Sequence, residues 1–166
     1  MHFRYGFGKT FKEFDIDDKN VMVELKQNSI ERQLINAEEV RRSLENPIGS
    51  KRLSKIVKPG ESIVIITSDI TRPMPSKIVL PPLLDELSKA GVSLEDITIV
   101  FALGSHRKHT EDEMKYLVGE ETYKKVKCLD SDVKRCRMLG TTSRGTPVEI
   151  FDKVADADRV ICLGNI

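Results

Sequence analysis

The sequence has no apolar run approaching the roughly 18 residues a membrane span needs, and Met1 to Phe14 lacks the apolar stretch of a signal peptide. It therefore reads as a cytoplasmic protein without a membrane partner. Surplus charge is missing too: 27 Lys and Arg against 26 Asp and Glu leave a formal net charge of +1. A general nucleic-acid binder would carry a clustered basic excess, so nucleic acid is not an expected partner. Cysteine is scarce. Cys128, Cys136 and Cys162 are odd in number and lack CxxC spacing, which excludes a disulfide framework and a zinc knuckle. Reduced, buried thiols are the expectation. Internal repeats and low-complexity stretches are absent as well. What remains is a chain of 166 residues, 39% hydrophobic, enough for one globular core.

Residues Phe3 to Lys26 alternate between apolar and polar in short pieces, which predicts two or three antiparallel strands with Phe7, Phe11, Ile16, Val21, Val23 and Leu25 as inward positions. From Asn36 the period changes. Ala37, Val40 and Leu44 share a helical face that Asn46-Pro47 and Gly49 stop, and Leu53, Ile56 and Val57 fit a second short helix before Pro59-Gly60. Three apolar runs follow: Ile63 to Thr67, Ile97 to Leu103, and Val160 to Leu163. Each has the composition of a strand covered on both faces. A helix from about Ser76 to Ala90, its first turns bent by Pro81-Pro82 and its end marked by Gly91, joins the first two. That is a strand, helix, strand unit of a parallel sheet. Thr110-Glu111-Asp112-Glu113 is a capping box that starts another helix ending near Gly119. Gly140 to Pro147 is the loop of a β-hairpin spanning about 135–150. The predicted fold is α/β: mainly a parallel sheet with flanking helices, Rossmann-like, with an antiparallel N-terminal segment over 1–30 ahead of the α/β part over 31–166.

In an open parallel sheet the ligand crevice lies beyond the carboxyl ends of the strands. The first run delivers Asp69-Ile70-Thr71-Arg72-Pro73-Met74-Pro75, where Asp69 can orient Arg72 and an oriented guanidinium suits bidentate capture of a carboxylate or phosphate. The second delivers Gly104-Ser105-His106-Arg107-Lys108-His109-Thr110, placing His106 where a general acid or base would sit. His106 and His109 as a metal pair lack a third ligand nearby. Three look-alikes fail on spacing. Gly6-Phe7-Gly8-Lys9-Thr10 ends like a phosphate loop, but Phe3 stands where the first glycine is required. Gly104-Ser105-His106 lacks the spacing of a nucleophile elbow, and Gly140 to Gly145 lacks that of a dinucleotide loop.

Taken together, Asp69 to Pro75, Ala102-Leu103-Gly104-Ser105-His106-Arg107, Leu139 to Val148, and Ala157-Asp158 leading to Ile161-Cys162-Leu163-Gly164-Asn165-Ile166 resemble the N-terminal domain of the lactate racemase family, the nickel-pincer nucleotide enzymes. Tyr5-Gly6-Phe7-Gly8 and Asn46-Pro47-Ile48-Gly49-Ser50 agree, so the resemblance spans the chain. It implies an isomerase that racemises or epimerises a small 2-hydroxy acid, with a base taking the hydroxyl proton while the α-hydrogen passes as hydride to the nickel-pincer nucleotide. It makes His106 one of two bases and Arg72 the carboxylate clamp. Asp69, Thr71 and Arg107 become cofactor contacts, and no residue of this chain becomes a metal ligand.

In that family the second catalytic histidine, the lysine that anchors the cofactor and the nickel-ligating histidine come after the position of Ile166. The resemblance therefore makes this chain a truncated N-terminal part, inactive and without cofactor by itself, whose partner is the C-terminal remainder of the same protein. Leu129-Asp130 stands where many relatives carry His-Asp. Two other readings use the same residues. One is a non-catalytic α/β module binding an anionic small molecule or nucleotide through Arg72, Arg107 and the helix start at Thr110. The other is a fragment that self-associates through its C-terminal strand.

Overall fold

A computed structural model describes residues 1–31, 34–72 and 74–164, and the chain divides into two compact units, Met1–Gln33 and Leu34–Ile166. In the first, β1 (His2–Phe7) and β2 (Thr10–Asp15) pair antiparallel from His2↔Asp15 to Phe7↔Thr10. Gly8-Lys9 make the two-residue turn, with Gly8 at φ 60°, so the apparent phosphate loop is a hairpin turn. Alternation puts Phe3, Tyr5 and Phe14 in one stacked row with centroids about 6 Å apart, while Arg4 lies 4.1 Å over Phe11 on the other face. Among its described residues the unit supplies no second layer, and Phe7 and Phe11, expected to face inward, are exposed. A third strand does not form either: residues 21–31 carry no strand, Met22, Val23 and Leu25 are exposed, and only Ile16 and Val21 are half-buried.

The second unit is built on a four-stranded parallel sheet in the order β5-β4-β3-β8. Its strands are β3 (Ile63–Ser68), β4 (Ile97–Ala102), β5 (Lys127–Asp130) and β8 (Arg159–Cys162). β3 pairs with β4 in register from Ile63↔Ile97 to Ser68↔Ala102. Their apolar runs are continuous because both faces are covered. On one face Ile63, Ile65, Ile97, Ile99 and Phe101 pack with Leu80, Leu83 and Leu87 of α2 (Ser76–Lys89) and with Leu117 and Val118 of α3 (Glu111–Val118). On the other, Val64 and Val100 meet Phe151, Val154 and Ala157.

The expected strand, helix, strand unit is present, as is α1 (Asn36–Glu45). The second short helix reduces to a 3₁₀ turn at Leu53–Lys55, tied to α2 by a bidentate Arg52–Glu86 pair of 2.6 and 2.7 Å. α2 continues through Pro81 and Pro82, which have no N–H to return to the carbonyls of Lys77 and Ile78. Its end is set at Gly91, where φ is 84° and an added Cβ would sit 3.0 Å from Pro59 Cγ. The hairpin also forms, as β6 (Cys136–Thr141) and β7 (Pro147–Phe151) with a register shift between Met138 and Gly140, followed by the short α5 (Asp152–Ala155).

Two features depart from expectation. β5, with the short α4 (Glu120–Lys125) ahead of it, is an additional strand, since Cys128 and Leu129 alone are too short an apolar run to announce one. β8 is only half-buried, because among the described residues it pairs with β3 alone and forms the sheet's other edge. No helix among the described residues is long and apolar enough to cross a membrane.

Candidate active site

The carboxyl ends of β3, β4 and β8 converge on a cleft of about 370 Å³ lined by Ser68, Asp69, Arg72, Gly104, Ser105 and His106, with apolar walls including Leu163. β8 reaches it because the Leu163 amide donates to the Ile66 carbonyl at 2.8 Å. Past β3 the chain turns sharply, and the Arg72 amide donates to the Asp69 carbonyl at 3.2 Å. Past β4 it turns again at Gly104, φ 57°, and the His106 amide donates to the Leu103 carbonyl at 3.0 Å. Glycine at 104 gives the left-handed backbone that swings His106 back toward β3.

The first turn corrects the expectation for Asp69. The spacing of Asp69 and Arg72 closes a backbone turn and does not make an ion pair. The Asp69 side chain, 4% exposed, accepts instead from the Thr71 amide (3.0 Å), the Thr71 hydroxyl (2.7 Å) and His106 Nδ1 (2.5 Å). Burial pushes its carboxyl up, but the hydrogen bonds from Thr71 and His106 outweigh burial and hold it below the usual carboxylate value. An ionised Asp69 accepting at Nδ1 makes that nitrogen the protonated one, so Nε2 of the half-exposed His106 is left with its lone pair. Arg72 is exposed at the cleft and has no ion pair among the described residues, which leaves its fork of donors open to an anion.

Arg107 is placed differently. Its guanidinium points along the loop to Glu113, with bonds of 2.8 and 2.7 Å, and Glu113 also receives the Thr110 amide within a complete capping box. Those bonds, Arg107's first, lower the Glu113 carboxyl to about 2. Arg107 and the Thr110 amide are thus both engaged with Glu113, and Arg107 does not line the cleft.

Sequence reasoning missed the partner of His109. That ring is 1% exposed and stands beside Phe101, centroids 4.9 Å apart. Nδ1 and the His109 amide both bond Asp130, at 2.6 and 2.8 Å, and Nε2 accepts from the Ile70 amide at 3.0 Å. The strand-end rule that located His106 would have located Asp130, had β5 been recognised. No group of three or more His, Cys, Asp or Glu among the described residues could hold a metal ion.

The cysteines need a further correction: Cys128 is half-buried, but Cys136 and Cys162 are exposed, because β6 and the edge strand β8 present them outward.

The sequence profile of the lactate racemase N-terminal domain matches residues 7–166. The chain is 37% identical over 165 residues to the lactate racemase of Thermoanaerobacterium thermosaccharolyticum, covering 96% of this chain and 38% of that protein. It is 34% identical over 156 residues to the lactate racemase of Lactiplantibacillus plantarum, covering 91% and 37% respectively. The structure of the lactate racemase apoprotein from T. thermosaccharolyticum matches it with a TM-score of 0.76 at 35% identity, over 98% of this chain and 38% of that one. A crystal structure of a Thermotoga maritima protein, 16% identical, shares the fold with a TM-score of 0.57 over 81% of this chain and 34% of that one. The chain spans a little over a third of the length of the curated relatives it matches. Matched from residue 7 to its last residue by the family's profile, and by two relatives over nine-tenths of its length, the chain belongs to the lactate racemase N-terminal domain family.

Proposed function

We propose that this chain is the N-terminal part of a 2-hydroxyacid racemase or epimerase, in which His106 Nε2 is one of two bases and Arg72 holds the substrate carboxylate. The observation that carries the reading is the Asp69–His106 pair at the head of the cleft. Asp69 keeps the ring in the Nδ1–H form, aims Nε2 into the cleft and stabilises the imidazolium that forms when Nε2 takes the hydroxyl proton. Arg72 offers two parallel N–H donors to the carboxylate, which fixes where the hydroxyl and the α-carbon fall. A cleft of about 370 Å³ is at the small end of ligand sites and suits a small acid.

The side chains on this cleft fit the anionic and hydroxyl groups of a nucleotide but not ligation of nickel, since they offer one histidine and one already engaged carboxylate. A nickel-pincer nucleotide bound there would supply the acceptor for the substrate's α-hydrogen. Asp69 at the cleft, Thr71 bonded to it, and Arg107 once released from Glu113, are this chain's cofactor-facing groups in the proposal. The second base and the metal ligand belong to the C-terminal remainder of the protein, the partner of this cleft, so the 166-residue chain alone turns over no substrate.

The test is racemisation of D and L hydroxy acids by the longer enzyme loaded with its cofactor. His106→Ala is expected to lower kcat by about 10²-fold or more, and Arg72→Ala to act mainly on KM. Undiminished activity of His106→Ala would refute the assigned base.

A further inference from the structure

Asp69, Arg72 and His106 stand on two loops at the cleft, and one buried group outside the cleft ties those loops together. His109 is 1% and Asp130 7% exposed, and neither lines the cleft. Asp130 Oδ1 accepts from His109 Nδ1 while Oδ2 accepts from the His109 amide, so one carboxylate at the end of β5 holds both ring and backbone. Two acceptances by Asp130 require Nδ1 to carry the proton, which leaves Nε2 as the acceptor for the Ile70 amide. Ile70 is the residue between Asp69 and Thr71. Its amide therefore fixes the peptide unit from which the Asp69 side chain, with its bonds to Thr71 and His106, is presented. Phe101 of β4 closes the other side of the ring.

We propose that His109 and Asp130 are a positioning pair for the active site: through the Ile70 amide they hold Asp69 where it keeps His106 in the Nδ1–H form. The inference rests on His106 being the base described above. The ends of three adjacent strands, β3, β4 and β5, are joined at a single imidazole. A backbone N–H that loses its partner away from open solvent is costly, so the half-buried Ile70 amide favours this geometry over one in which the loop has moved.

The experiment reads ring tautomers, which does not require turnover. In the ¹⁵N-labelled 166-residue chain, in mildly alkaline solution, long-range ¹H–¹⁵N spectra are expected to show both His106 and His109 as Nδ1–H forms. His109→Phe keeps a ring against Phe101 but removes the acceptor for Ile70, and His106 is expected to lose its preference for Nδ1–H. His109→Gln can return a carbonyl oxygen to the Nε2 position and is expected to restore it. Asp130→Asn, which cannot accept both His109 protons, should shift His109 toward Nε2–H and disturb His106 with it; it carries the test if His109→Phe does not fold. An unchanged His106 tautomer in folded His109→Phe or Asp130→Asn overturns the proposal, as does equal loss in the Phe and Gln variants, which a merely structural role would produce. Activity surviving His106→Ala in the longer enzyme would instead refute the base assignment and leave the tautomer result standing.

Discussion

Asp69 illustrates how a residue's environment decides its role. On sequence it sat three residues before Arg72 and was expected to orient it, yet the turn between them sends its carboxylate across to His106. Arg72 is left at the cleft without an ion pair among the described residues, a better state for capturing an anion than one already paired. The cysteines show the same dependence on place. Burial pushes the Cys128 thiol up to about 12, while Cys136 and Cys162 are exposed. Because the thiolate is the reactive form, a small alkylating reagent near neutral pH is expected to modify two thiols quickly and the third only on unfolding. Three equally fast thiols, counted by mass spectrometry, would contradict the placement of Cys128.

Among the elements, β3 and β4 carry the fold. Ile65 and Ile99 are fully buried between the sheet and its helices, and Phe101 on the same face reaches the His109 ring. Ile99→Ala is expected to cost ~2–5 kcal/mol in chemical denaturation, the range for emptying a core site that cannot collapse. Val160 is 44% exposed on the edge strand β8, and Val160→Ala should cost about 1 kcal/mol or less. Similar losses at both positions would mean that β8 is not an edge. Short elements were the ones hidden from pattern reading. β5 has four residues and two apolar side chains, so its strand character comes from pairing with β4, from Thr98↔Lys127 to Phe101↔Asp130. Missing it meant missing Asp130 as a strand-end residue.

On the scale of the molecule, balanced charge is distributed as paired carboxylates. Glu86, 3% exposed, is lowered to about 2 by its bonds from Arg52, and Glu113 to about 2 by Arg107. Glu61 is lowered by Arg159, Asp158 by the Ser62 amide and hydroxyl, and Asp69 by bonds that outweigh its burial. Each binds protons less readily folded than unfolded, so the stability these groups contribute is complete above about pH 4.5, the ordinary Glu value, and is lost as pH falls toward about 2. Denaturation midpoints measured across that range are expected to fall steadily with acid. Glu86→Gln, which removes the most buried of these carboxylates, should flatten part of the slope; an unchanged slope would mean the Arg52 pair is not formed.

The sequence by itself determined the α/β class, the three main apolar strands, the α2 crossover and the strand ends where His106, Asp69 and Arg72 had to lie, because these follow from apolar period, glycine and proline placement and the geometry of parallel sheets. It also carried the resemblance that the comparisons bear out. Which side chains meet was decided by tertiary structure alone. Asp69 and His106 are 37 residues apart, and His109 and Asp130 are 21 apart. Only the register of neighbouring strands brings such pairs within hydrogen-bond distance, and a local pattern holds no record of that register.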